Sequence, residues 1–228
     1  MLALTSPNLP SRLYAAYRRF ERLVNDGDSR LREYERAVDA EAPDIKRFLD
    51  VTGDTEPASA DAPLHELRDA LLNLVYANFP ALDRYLLPNG PSLATLVAPR
   101  PHHLLRMTWY PAATTAVVNH PHTDIDLLTL LPSATASGLE IEMDGMWRPL
   151  SPSAAEVAVL AGEFVALFGG VAAHRHRVKA TPYPRLSVSL FVNAERRLPI
   201  ADRTVGDVFD ERLYAVTKQI GGRAVPSA

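Results

Sequence analysis

Two spacings of apolar residues divide the chain. Over roughly the first hundred residues they recur three and four apart, as on one face of a helix, and from Leu104 they alternate in short runs, as on one face of a strand. Leu13, Tyr17, Phe20, Leu23 and Val24 predict a helix that Ser11 can cap and that ends at Asn25-Asp26-Gly27-Asp28. A second, charged helix is predicted from Ser29 to about Val38. Gly53 to Pro63 reads as a polar loop, and Pro63 leads a further helix through Leu64, Leu67, Leu71, Leu74 and Val75. Pro80 and the Pro88-Asn89-Gly90-Pro91 cluster are expected to stop helical structure.

In the second half, alternation over Leu104 to Tyr110 puts Arg106, Thr108 and Tyr110 on one face and Leu105, Met107 and Trp109 on the other. Asp144-Gly145 between Glu140–Met143 and Met146–Arg148 is a two-residue hairpin signal. Residues 156–168 supply two more apolar runs, and Arg185 to Val192 sets Leu186, Val188, Leu190 and Val192 against Arg185, Ser187, Ser189 and Phe191. A last helix is predicted from about Asp207 to Ile220, ending at Gly221-Gly222. Many short strands with turns between them indicate a mainly β chain of the α+β class, built as a sandwich or jelly roll. The expected organisation is one domain over 1–228: mostly helical support over 1–100, the β core over 101–198, and a C-terminal helix and tail over 199–228.

Composition narrows the partners. With 24 basic and 27 acidic residues the formal charge is −3, so no basic surplus points to nucleic acid or an anionic membrane, and a small-molecule partner fits better. The absence of cysteine excludes disulfides and thiolate metal sites and agrees with a reducing compartment. The start lacks a basic n-region and a sustained apolar stretch, and no run approaches a membrane span, so a soluble, cytoplasmic monomer is expected.

The candidate chemistry lies between His122 and Ser187. His122 and Asp124 are two apart, so on a strand an imidazole nitrogen and a carboxylate oxygen point the same way. A second histidine such as His176, 54 positions on, would complete two neutral nitrogens and one anionic oxygen on one face of an ion, a donor set that suits non-haem Fe(II). The competing reading is that these are strand histidines with structural hydrogen bonds. His120, His174 and Asp126 compete for the same assignment, each two residues from a candidate ligand. His65, His102 and His103 have no partner at ligand spacing and are expected at the surface or in caps. Arg185 and Ser187 also share a face, where a planar fork and a hydroxyl suit a carboxylate; a salt bridge on an edge strand is the alternative.

The order of these pieces carries a resemblance. His122-Thr123-Asp124, Leu128-Thr129-Leu130-Leu131, Gly138-Leu139-Glu140-Ile141, Asp144-Gly145-Met146-Trp147, Gly162-Glu163, His176-Arg177-Val178 and Arg185-Leu186-Ser187 together resemble the isopenicillin N synthase-like branch of the iron and 2-oxoglutarate-dependent dioxygenases, over roughly residues 104–193. The resemblance implies a double-stranded β-helix with helices packed outside. It implies His122, Asp124 and His176 as the catalytic iron ligands, leaving His120 and His174 as supporting or rim residues. By the same resemblance Arg185 and Ser187 anchor the distal carboxylate of 2-oxoglutarate, with Tyr110, and with Thr108 where relatives often carry asparagine. The implied reaction uses Fe(II), 2-oxoglutarate and O2 to oxidise, by default hydroxylate, a small-molecule metabolite such as those of secondary metabolism, releasing succinate and CO2.

Asp44-Ile45-Lys46-Arg47-Phe48 resembles a segment that precedes the barrel in this family. Two departures stand out: Glu163 replaces an aspartate, and the N-terminal region is short, so the N-terminal side of the barrel is expected to be reduced. Gly138 and Gly162 are expected in turns or close packing, and Trp147, Phe168 and Phe191 in the core or a pocket. Two other functions fit the same residues. One is an oxidase of the same family that needs no 2-oxoglutarate, as in formation of isopenicillin N or ethylene; the other is a β-barrel that binds a metal or ligand without turnover.

Overall fold

The alternating runs pair into two antiparallel sheets that face each other. The computed structural model describes residues 2–36, 44–53, 58–112 and 117–219. The larger sheet has the order β1 (Leu2–Thr5), β9 (Glu156–Ala161), β6 (Leu128–Pro132), β11 (Arg185–Val192), β4 (Leu104–Tyr110), β3 (Asp44–Val51), β2 (Arg32–Arg36). The smaller has the order β5 (Val117–His122), β10 (His176–Lys179), β7 (Leu139–Met143), β8 (Met146–Pro149). This mixed α and β architecture of facing antiparallel sheets is the jelly roll expected from the sequence.

Strand alternation produces two cores. Leu105 and Met107 of β4 and Leu186, Val188, Leu190 and Val192 of β11 turn outward against the helices. Tyr110, Val118, Leu131, Leu139, Ile141, Ala158, Leu160 and Val178 fill the space between the sheets. The outward core is closed by α1 (Leu9–Asp26) and α2 (Ala62–Ala77), whose Leu13, Phe20, Leu67, Leu71 and Val75 are buried. Gly27 ends α1 in a left-handed conformation at φ 66°, and Asp28 N–H reaches back to Leu23 O at 3.0 Å, closing the helix with a Schellman motif. The Asp144-Gly145 turn between β7 and β8 has φ of 51° and 73°, as a primed hairpin turn requires.

Several local expectations give way to tertiary pairing. Ser11 lies inside α1 behind the cap residue Asn8, and its Oγ donates to Asn8 O. The charged stretch expected as a helix from Ser29 forms β2 instead, because Arg32–Arg36 hydrogen-bonds along β3 from Phe48 to Asp44; Ala37 and Val38 lie outside the described residues. Pro80 begins α3 (Phe79–Leu86) rather than stopping a helix, since a missing N–H costs nothing in a first turn, and α4 (Leu93–Leu96) follows the proline cluster. Of the two apolar runs over 156–168, the second is a short helix, α5 (Glu163–Leu167).

The N-terminal region contributes three strands to the larger sheet. β1 extends the larger sheet at one edge through β9, and β2 and β3 extend it at the other through β4. The last helix is α6 (Val205–Gln219); Ile220 and Gly221-Gly222 fall outside the described residues. His103 is fully buried, not superficial: Asn193 N–H donates to its Nδ1 at 3.1 Å, so Nε2 carries the proton and donates to Tyr76 Oη at 2.6 Å. Among the described residues no helix is long and apolar enough to cross a membrane.

Candidate metal and co-substrate site

β5 ends where β10 begins, and their pairing sets His122 directly opposite His176, with ring centroids 4.3 Å apart. Asp124, two residues past the end of β5, sends Oδ1 to 3.8 Å from His122 Nε2 and Oδ2 to 3.6 Å from His176 Nε2. The three side chains each offer one donor atom, all within 4.8 Å of one another. Each imidazole is oriented from behind: His122 Nδ1 lies 2.7 Å from His120 O and His176 Nδ1 3.2 Å from His174 O. A carbonyl accepts only from N–H, so both Nδ1 atoms carry the proton and both Nε2 lone pairs face the cluster. Burial and the neighbouring His176 hold His122 down to about 4, which keeps its ring neutral and ready to ligate. Burial alone would raise Asp124, but the imidazoles, the Thr129 hydroxyl and Lys46 outweigh it and bring this carboxylate below its ordinary value.

The competing acid and histidines take other roles. Thr129 Oγ1 lies 2.5 Å from Asp124 Oδ2 and 2.9 Å from Asp126 Oδ2. One hydroxyl proton cannot serve both carboxylates. Burial and the charge of Asp124 push Asp126 well above the usual carboxylate range, so Asp126 keeps its proton and donates to Thr129, which donates to Asp124. Gly162 is the glycine this arrangement needs: a Cβ there would fall 2.0 Å from Asp126 Oδ1 and 2.3 Å from Asp126 O. His174 faces away from the cluster and accepts from Ala161 N–H at 2.7 Å. His120 contributes its backbone carbonyl to orient His122.

Glu163 ties the ligand loop to the C-terminal helix. Thr123, between the two candidate ligands, donates to Glu163 Oε1 at 2.7 Å, and Arg212 of α6 donates to both Glu163 oxygens at 2.8 and 2.6 Å. Glu163 N–H also donates to Asp124 O at 2.9 Å. Burial would raise Glu163, but Arg212 and Thr123 hold it below its ordinary value. Nothing in the sequence pairs Arg212 with residue 163, since the contact depends on where α6 packs.

The four residues expected to bind a carboxylate form one patch. β11 runs antiparallel to β4 so that Arg185 stands opposite Tyr110 and Ser187 opposite Thr108, and all four are buried. Arg185 is 4% exposed, its Nε donates to Ala136 O at 3.1 Å, and its Cζ lies 5.5 Å from the Tyr110 ring centroid. Among the described residues no carboxylate pairs with it. Burial lowers the Arg185 pKa, yet a guanidinium remains protonated, so Arg185 is a buried positive charge. A cavity of about 310 Å³ opens beside it, lined by Ser133, Ala136, Ser137, Leu139 and Leu150. This cavity touches only the Arg185 end; the histidine cluster lies further along the barrel.

Lys46, Phe48 and Arg106 also come to this region, and sequence reasoning gave none of them a role. Arg106 was legible as part of a polar strand face, while Lys46 and Phe48 sit on a strand whose place in the barrel only pairing reveals.

Facing antiparallel sheets with two histidines and an aspartate converging at one end define a jelly-roll protein with a candidate mononuclear metal centre. Residues 101–194 match the model of the 2OG-Fe(II) oxygenase superfamily. Gibberellin 2-beta-dioxygenase 7 of Arabidopsis thaliana is 39% identical over 75 residues, 32% of this chain; the match spans only 22% of that relative's length. An oxygenase assigned in Shewanella oneidensis shares the fold at a TM-score of 0.77 and 19% identity, over 94% of this chain and 89% of that one. A full-length Neurospora crassa protein in complex with alpha-KG superposes at a TM-score of 0.73 and 17% identity, over 92% of this chain and 85% of that one, and a further structure of the same fungal protein contains thymine as well.

Proposed function

We propose that this protein is a non-haem Fe(II)- and 2-oxoglutarate-dependent dioxygenase that oxidises, by default hydroxylates, a small-molecule metabolite with O2, releasing succinate and CO2. The observation that carries the reading is a pairing within one barrel: three candidate ligands converge at one place, and Arg185 is a buried guanidinium that no carboxylate among the described residues pairs with. Two neutral nitrogens and one carboxylate match the donor set of non-haem Fe(II) and would leave one face of the ion open.

His122, Asp124 and His176 would hold the iron, with Thr129 and protonated Asp126 fixing the aspartate's orientation. Arg185 would fork onto the distal carboxylate of 2-oxoglutarate, Ser187 would add a hydroxyl, and Tyr110 and Thr108 would close the facing strand. The apolar lining of Val118, Leu131, Ile141 and Val178 keeps water from the space between these groups. The iron and its co-substrate, when bound, supply the oxidising power. The thymine bound by the Neurospora crassa protein and the balanced charge of this chain support a dissolved metabolite as substrate, acted on in the cytoplasm, rather than nucleic acid or membrane.

The test is anaerobic reconstitution with Fe(II), then 2-oxoglutarate, followed by exposure to O2 and assay of succinate. The expected result is one Fe(II) per chain, a charge-transfer band on adding 2-oxoglutarate, and slow succinate formation that a substrate accelerates. Failure of the protein to bind Fe(II) would sink the reading; full product formation without 2-oxoglutarate would transfer Arg185 and Ser187 to a substrate carboxylate.

A further inference from the structure

The barrel wall beside the metal cluster carries two cations that neither iron ligation nor the Arg185 patch employs. β3 and β11 flank β4, and their registers place Phe48, Thr108 and Ser187 in one row and Asp50, Arg106 and Ser189 in the next. This face turns between the sheets, since the intervening Leu49, Met107 and Val188 belong to the outward core. It also adjoins the cluster: Phe191 stands opposite Thr129, whose hydroxyl holds Asp124. Arg106 is set between two rings, its Cζ 4.3 Å from the Phe48 centroid and 5.6 Å from that of Phe191. Nε and Nη2 donate to the two oxygens of Asp50 at 2.7 and 2.8 Å, which fixes the plane of the guanidinium.

Arg106 is held but not used up. Two of its five N–H groups are taken by Asp50, and the other three have no acceptor among the described residues. Its side chain sits on the inward face and is 28% accessible. Lys46 lies on β3 two residues before Phe48, on the same inward face. Its Nζ donates to Asn119 Oδ1 at 2.9 Å, crossing from β3 to β5 three residues before His122. Arg106 acts electrostatically on Asp124, and Lys46 on both His122 and Asp124, so the two cations flank the cluster. Asp50 balances one of them; Arg32, 3.9 Å from Asp50, adds a third cation at the rim. The described wall therefore sets cations next to two aromatic rings.

We propose that the substrate of this site is a small carboxylic acid with an apolar or aromatic body, its carboxylate received by Arg106 and its body packed against the Phe48 and Phe191 side of the wall. Lys46 contributes positive potential that draws the anion to the open face of the metal. Asp50 makes Arg106 a rigid donor at a set position, which suits recognition of a planar carboxylate more than of a hydroxyl or a neutral amide. This inference rests on the Fe(II) and 2-oxoglutarate reading above, because the wall is assigned to substrate only if those ligands occupy the cluster and the Arg185 patch.

The experiment uses matched probes: phenylacetate, 3-phenylpropionate, cinnamate and cyclohexanecarboxylate, each beside its primary amide. Each is titrated into the anaerobic protein loaded with Fe(II) and 2-oxoglutarate, following the perturbation of the charge-transfer band, and then tested in O2 for stimulated succinate formation. At least one acid is expected to bind about tenfold or more tightly than its amide, a difference of about 1.4 kcal/mol. Arg106→Gln should abolish that preference and Arg106→Lys should restore part of it, with the dissociation constants of Fe(II) and 2-oxoglutarate unchanged. Lys46→Gln should weaken the acid and leave the amide alone, and it keeps the test open should the Arg106 variants fold poorly. Equal binding of acids and amides across the panel overturns the proposal. So does an Arg106→Gln protein that keeps the acid preference but loses 2-oxoglutarate. A wild-type protein that binds neither Fe(II) nor 2-oxoglutarate brings down the reading beneath it instead.

Discussion

The polar groups buried in the helical support and those buried in the barrel are finished differently. In the support, each has partners that complete it. Asp61 lies between Arg19 and Arg30 at 2.7 and 2.5 Å, Arg68 donates to the backbone carbonyls of Arg100 and His103 and to Asp69, and His103 is closed by Tyr76 and Asn193. In the barrel, three candidate ligand side chains converge on one small volume, and among the described residues no carboxylate pairs with Arg185. Burying a charge unpaired costs several kcal/mol, so a fold that leaves such groups open along one internal line holds them for something that arrives later. Closed polar clusters therefore mark structure, and open ones mark binding.

If that contrast is right, changes in the barrel remove function at little cost in stability, and changes in the support do the reverse. The largest effect is expected from the ligands. Asp124→Ala or His176→Ala should weaken Fe(II) binding by at least about 100-fold, since even the partners that merely orient metal ligands are worth about 10- to 100-fold. Thermal stability of the metal-free protein should fall by only about 1 kcal/mol, because each change removes a single hydrogen bond, from Thr129 to Asp124 or from His176 Nδ1 to His174 O. Anaerobic equilibrium dialysis beside a melting curve checks both. Loss of iron from His120→Ala or His174→Ala, with His176→Ala spared, would show that the ligand set is misassigned.

Next is the other end of the barrel. Arg185→Ala should raise the dissociation constant of 2-oxoglutarate by about 30-fold or more, because breaking one buried charge-assisted contact costs about 2 to 5 kcal/mol and each 1.4 kcal/mol is tenfold. Iron affinity should be unchanged, and Arg185→Lys should rescue only part, since an ammonium lacks the fork. Parallel loss of iron and 2-oxoglutarate would mean that the two ends are not separate sites.

The support should answer to pH instead. Burial and the nearby Arg68 hold His103 down to about 4, against about 6.5 when unfolded. A depressed histidine contributes nothing unfavourable above the unfolded value, and as pH falls from 6.5 toward 4 the unfolded state takes up a proton that the folded state refuses. Stability from this group should thus fall by about 3 kcal/mol across that window. Denaturant titrations at pH 7 and pH 4.5 should show the loss, and a His103→Gln variant should show a shallower pH dependence. A wild-type profile that the substitution leaves unchanged would remove His103 from this role.

The smallest effect sharpens the boundary between the regions, where α6 reaches the ligand loop. Thr123→Val or Arg212→Ala should weaken Fe(II) by about tenfold, the lower end for a partner that orients ligands. The double variant should do no worse than either single one, since both changes interrupt the same chain through Glu163. Additive losses would separate them.

Much of this was local and therefore readable. A two-residue period places Arg185 with Ser187 whatever the rest of the chain does, and a 3.6-residue period finds α1 and α2; His122 and Asp124 share no strand, since β5 ends at His122 and Asp124 lies in the loop beyond it. The Asp144-Gly145 turn needs nothing beyond its own backbone. What the amino-acid order could not settle is which strand lies beside which. Hydrogen-bond partners across a sheet are chosen by register between segments far apart in the chain. Register set His176 opposite His122 and Arg185 opposite Tyr110, and it drew the charged stretch after Ser29 into β2 beside β3. It also brought Lys46, Phe48 and Arg106 to the wall of the site, while the packing of the helices against the outward core buried His103 and carried Arg212 to Glu163. The candidate ligands were legible in short motifs, but the space between them, and hence what can bind there, exists only once the two sheets close on each other.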